Sequence, residues 1–119
     1  MTRTITCAIL ILALSSAVLI AANQAQTKDG PFVGVVTDTM CAGEHAMMGE
    51  AGKNQAKCAV DCVKANPKKN KYALLSGDKV YLLSDQQTPE QFAARKVKVT
   101  GKLYTKTNVI AVEKIEAAQ

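Results

Sequence analysis

This chain has no tryptophan, only three tyrosines and two phenylalanines, and one histidine. Aromatic stacking platforms for a nucleic-acid strand are therefore scarce, and Tyr72 and Tyr104 are the only candidates near the lysine clusters. No Cys-x-x-Cys occurs, which removes the thioredoxin-type redox motif, and no Cys-x-x-Cys-His, which removes covalent haem attachment. None of the usual catalytic motifs appears. There is no internal repeat and no low-complexity tract. At 119 residues the chain has room for one domain and not for a multidomain enzyme.

What is present is unevenly spread. Of the residues counted as hydrophobic, residues 1–25 hold 17 and residues 26–119 hold 40, an ordinary share for a globular domain. Arg3 is the only charge before Lys28, and an apolar stretch runs from Ile5 to Ala22, interrupted by Thr6 and Ser15-Ser16. Small residues then lead into polar Asn23-Gln24-Ala25-Gln26. Residues 1–25 thus have the three parts of a secretory signal, with cleavage expected after Ala22 or Ala25. Cys7 lies too early to be a lipid-modified cysteine at a cleavage point. Left uncleaved, the leader would be a membrane anchor. Either way Arg3 stays inside, and the rest of the chain is expected in the periplasm or secreted.

Behind a polar linker at 26–31, the expected domain covers 32–116. Phe32–Thr37 is short and β-branched and reads as a strand. Residues 38–66 lack alternation and read as a helical insert, with Asp38 capping one helix and Asn54 a second. Gly49 and Gly52 separate the two, Gly43 weakens the first, and Asn66-Pro67 ends the second. Two strands, Lys71–Leu75 and Lys79–Ser84, flank the hairpin signal Ser76-Gly77-Asp78. Thr88-Pro89 opens a short helical turn that runs through Ala94. Lys96–Tyr104 alternates strictly, with Val97, Val99, Gly101 and Leu103 on one face and Lys96, Lys98, Thr100 and Lys102 on the other. Val109–Ile115 is the last strand. Five strands with a helix between the third and fourth predict a mainly β (α+β) fold, a small OB-like barrel with its insert between strands 1 and 2; a generic α+β sandwich is the rival.

The concentrated chemistry lies inside the insert. Cys41 and His45 are four apart, as are Cys58 and Cys62, and on helices each pair would project from one face. Facing each other, Cys41, His45, Cys58 and Cys62 supply three thiolates and an imidazole, a tetrahedral set for Zn²⁺. Met40, Met47 and Met48 beside them point to core packing first and to Cu⁺ second. In an oxidising compartment, two of Cys41, Cys58 and Cys62 could instead form a disulfide, leaving a spare thiol and no metal; all three could also stay unlinked. A thiol oxidoreductase is a further alternative, since Cys41 and Cys58 would sit in first helical turns where a thiol pKa is lowered. A Cys–His hydrolase lacks an identifiable orienting group. Asp61 reads as a solvated helix residue. The lysines at 68, 69 and 71 and on the outer face of Lys96–Tyr104 read as a solubilising surface, and no nucleic-acid partner is expected.

Gly34-Val35-Val36-Thr37-Asp38-Thr39-Met40-Cys41, His45-Ala46-Met47-Met48, Cys58-Ala59-Val60-Asp61-Cys62 and the strands that follow resemble a group of small exported bacterial proteins of unknown function. The resemblance spans nearly all of 32–115. It implies a signal peptide, an OB-like domain and Cys41, His45, Cys58 and Cys62 as a shared site, and it implies no activity. Such proteins tend to carry a glycine after Phe92, where this chain has Ala93-Ala94. Together these features predict a non-enzymatic, extracytoplasmic metal-binding domain, with a thiol redox protein or a disulfide-stapled partner-binding domain as alternatives.

Overall fold

The structure, a computed structural model, describes residues 26–119; the expected signal peptide, with Cys7, lies outside the described residues. Six strands form one sheet: β1 (Thr27–Asp29), β2 (Phe32–Asp38), β3 (Tyr72–Ser76), β4 (Lys79–Leu83), β5 (Lys96–Tyr104) and β6 (Val109–Ala117). Strands β2 to β6 close on themselves in the order β2-β3-β4-β6-β5, with β5 returning to β2. All pairings are antiparallel except β4 with β6, which runs parallel through Leu82↔Val109 and Leu83↔Ile110. This is the expected OB-like barrel, mainly β, with the insert between its first two strands.

The barrel closes because alternation sends one face of each strand inward. Along β5, Val97, Val99, Gly101 and Leu103 are buried, while Lys96, Lys98 and Lys102 are exposed. The core joins Val97, Val99 and Leu103 to Val36, Tyr72, Leu74, Leu83, Ile110 and Ile115. Each such side chain contributes about 1.5–3 kcal/mol on burial. The outward lysines are solvated and paired, Lys98 with Glu116 and Lys102 with Asp29.

Three local expectations are corrected. The stretch read as a linker carries β1, which pairs with the second half of β5 through Lys28↔Leu103. Its partner lies some 75 residues away in sequence, so local text gave no sign of it. The first helix of the insert is not an α-helix. After a turn at residues 39–43 the chain forms 3-10 turns over His45–Lys53, broken at Gly49 (φ 60°, ψ −129°), a conformation that suits glycine. Only the second helix, α1 (Gln55–Ala65), is regular, with the Asn54 side chain accepting from Lys57 N as expected. The third correction concerns Thr88–Phe92, a 3-10 turn whose leading N–H groups, from Gln87 and Thr88, are accepted by Asp85 rather than capped by Thr88.

The alanine pair after Phe92 has a structural consequence. Ala93 bridges to Val36, and Ala94 donates its N–H to the Val36 carbonyl at 2.9 Å, so the backbone is pinned there. Ala94 is held at φ 58°, in the left-handed region. That conformation costs an L-residue about 1–2 kcal/mol, part of which a glycine gives back through its floppier unfolded chain. Ala94→Gly is expected to stabilise the domain by about 0.5–1 kcal/mol, a rise of a few degrees in Tm. A thermal melt showing no gain would mean that the position carries no strain.

Candidate metal centre

The end of β2 starts the site. Val36, Thr37 and Asp38 are all buried, and the β2–β3 pairing continues past the strand end, Thr39 N donating to the Lys71 carbonyl and Lys71 N to Thr39 Oγ1. With Thr39 pinned, the chain must reverse at once. The Asp38 side chain makes the reversal possible, its Oδ1 accepting from the N–H groups of both Met40 and Cys41 at 2.9 Å. Asp38 therefore does cap, as expected, but it caps a turn. Ala42 N closes that turn onto the Asp38 carbonyl, Glu44 N bonds Cys41 O, and Ala42 itself sits at φ 50°. The result buries Cys41 and delivers His45 to the start of the 3-10 segment, also buried. Gly52 leaves room for the His45 backbone, since a Cβ there would fall on the His45 carbonyl.

From the other side, α1 presents Cys58, Ala59, Cys62 and Val63 as its buried face. Val63 joins the barrel core, while Cys58 and Cys62 meet Cys41 in a separate cluster on which Met48 packs. Asn70 ties down the helix end by donating from Nδ2 to the Cys62 carbonyl at 2.8 Å. Asp61 is exposed and pairs with Lys57. Met40 and Met47 are exposed and not core residues; a turn and a 3-10 segment, unlike the expected helix, give them no inward face.

The ligand atoms of Cys41, Cys58 and Cys62 lie within 4.8 Å of one another, and the three are free thiols. A second group with the same spacing comprises Asp38, Cys41 and His45. The structure thus brings the four predicted residues to one place but divides them: His45 falls with Asp38 on the far side of the shared Cys41. The sequence marks Asp38 only as a cap and Thr37 only as a strand residue. The available signal is two adjacent polar residues ending an apolar strand, three and four positions before Cys41.

Thr37 decides the chemistry of His45. Its hydroxyl donates its only hydrogen to the Ala42 carbonyl, so towards His45 Nε2, at 3.2 Å, it can only accept. Nε2 therefore carries the ring hydrogen, and Nδ1 of the neutral ring is a free donor of an electron pair. Nδ1 stands 4.0 Å from Asp38 Oδ2, and among the described residues neither atom has a hydrogen-bond partner. Among the described residues, Tyr72 Oη, in the barrel core, is the other unpartnered buried side-chain atom.

Burial, and then the Asp38 charge, pushes the Cys41 thiol up. The same two causes, followed by Cys41 and Cys58, push Cys62 up from 9.0 to about 12. Without a cation these thiols are held neutral, the reverse of the activated thiol that a redox enzyme needs. Two cavities flank the cluster. One, about 290 Å³, is lined by Met40, Met48, Cys58, Asp61, Cys62, Ala65 and Asn70. The other, about 140 Å³, borders Thr37, Ala42, Gly43 and His45. Compared with protein-family models, with curated proteins and with solved structures, the chain matches none.

Two outcomes follow. Thr37→Val keeps the shape but loses the acceptor, so nitrogen NMR of the metal-free protein should show His45 leaving the Nε2–H tautomer, with Thr37→Ser restoring it. An unchanged tautomer in Thr37→Val would remove Thr37 from this role. The raised Cys62 pKa favours the fold while the thiol is neutral, a contribution complete below pH 9.0 and lost as pH rises towards about 12. The Tm of the metal-free protein should accordingly fall over that window, and less steeply in Cys62→Ala.

Proposed function

We propose that this protein is a non-enzymatic, exported metal-binding domain that holds its ion on Cys41, Cys58 and Cys62. The observation that carries the reading is the convergence of three buried, unlinked sulfurs from two separate segments, a turn and a helix, onto one point. Packing alone does not require it, since the barrel core closes with Val63 as the insert's single contribution. The leader supports export, with its lone Arg3, its apolar Ile5–Ala22 stretch and its small residues before a polar run. Zn²⁺ is the ion we favour. Three thiolates and one further donor from the cavity side complete its tetrahedron.

A second reading, Cu⁺, rests on the methionines. Met48 packs on the three sulfurs and Met40 lines the adjoining cavity, and thioether with thiolate is a donor set that selects Cu⁺. The raised Cys41 and Cys62 thiols support a ligand role over that of an activated nucleophile.

Metal binding at such a site is coupled to the folding of the segments that supply it. Cys58→Ser is expected to lower the metal content by one ion per chain and to lower the Tm of the zinc-loaded protein. Metal analysis and a thermal melt check this, and a variant unchanged in both overturns the proposal.

A further inference from the structure

We infer that the cluster holds two divalent ions, the second on Asp38 Oδ2, His45 Nδ1 and a Cys41 sulfur shared with the first. This rests on the three-sulfur site proposed above, which it extends to a second position. The starting observation is the pair of atoms left over when every other polar contact of the site is assigned. Asp38 spends Oδ1 on the Met40 and Cys41 N–H groups, and its Oδ2 has no partner among the described residues. His45 spends Nε2–H on Thr37, and its Nδ1 likewise has none. Both residues are more than nine-tenths buried, and an unsatisfied buried carboxylate oxygen is strongly unfavourable. The two atoms face each other at 4.0 Å, too far for a hydrogen bond, with Cys41 completing a set whose ligand atoms all lie within 4.8 Å.

Deprotonated as ligands, the three thiols and the carboxylate would carry four negative charges, which two divalent ions would balance. Donor chemistry separates the positions, the first all sulfur and the second mixed oxygen, nitrogen and sulfur, which suits a borderline divalent ion and not Cu⁺. Each position also has its own approach. The sulfurs border the cavity of Met40 and Met48, while His45 borders the smaller cavity of Thr37, Ala42 and Gly43, which has room for water to fill the second ion's remaining coordination.

The test is native mass spectrometry of the full chain after addition of excess Zn²⁺, on the parent protein and on Asp38→Asn, His45→Gln and Cys58→Ser. Asp38→Asn keeps the oxygen that accepts from Met40 and Cys41, so the turn survives; His45→Gln probes the same position without touching that turn. The expected result is two ions on the parent protein and one on each variant. Asp38→Asn and His45→Gln should retain the ion that Cys58→Ser loses. One ion on the parent protein overturns the second position and leaves the three-sulfur proposal standing. None on the parent protein overturns both. Two ions on both Asp38→Asn and His45→Gln show that the second ion binds elsewhere.

Discussion

The Cys41–His45 half of the insert depends on how one buried carboxylate divides its two oxygens. Asp38 is the last residue of β2, fully buried and in register with Tyr72 on β3, so its position is set by the barrel. Its Oδ1 builds the turn that presents Cys41, and its Oδ2 is held towards His45. A neutral cap such as serine could build a similar turn. It could not also place a negative charge beside Cys41. The same atom group that shapes the backbone therefore shapes the electrostatics, and burial together with Asp38 is what raises both Cys41 and Cys62.

The barrel and the cluster are distinct pieces of packing joined at few points. The core draws its residues from β2 to β6 and takes only Val63 from the insert, whereas the second cluster is three cysteines with Met48 against them. Three thiols and one thioether bury little apolar area, so hydrophobic burial alone stabilises the insert weakly. What orders it in the structure is polar and local: the Asp38 turn, the Thr37–Ala42 and Thr37–His45 bonds, Asn54 at the start of α1 and Asn70 at its end. On the proposed reading, metal coordination adds the missing long-range link between the turn and α1.

The barrel was legible because its signals are local and periodic. The strict alternation of Lys96–Tyr104, the Gly77-Asp78 turn and the β-branched run at Phe32–Thr37 each carry their own evidence, and the structure places strands at all of them. β1 was illegible for the opposite reason, since Thr27–Asp29 is a strand only because β5 offers it an edge. Chemistry and spacing single out Cys41, His45, Cys58 and Cys62, but not the way the structure groups them, because that grouping depends on the turn. A helix would have put Cys41 and His45 on one face as equals. The turn over residues 39–43 instead points Cys41 at α1 and carries His45 back over β2 to Thr37 and Asp38. Thr37 and Asp38 themselves looked like the ordinary end of a strand.

A site assembled this way has a direction built into it. Its oxygen and nitrogen groups, on Asp38 and His45, are anchored to the barrel, one by β-pairing and the other through Thr37. Its soft donors, Cys58 and Cys62, belong to α1, which reaches the barrel core only through Val63. Cys41 stands between, on a turn held by Asp38. Loosening α1 would therefore open the all-sulfur side first, next to the cavity where Met40 and Met48 offer weaker sulfur donors, while the barrel-anchored side kept its geometry. On the proposed reading, an ion on the sulfur side is the one positioned to exchange with a thiol or thioether outside, and an ion on the Asp38–His45 side is the one positioned to stay. The asymmetry follows from which donors the β-sheet holds, and it requires no moving part beyond a single short helix.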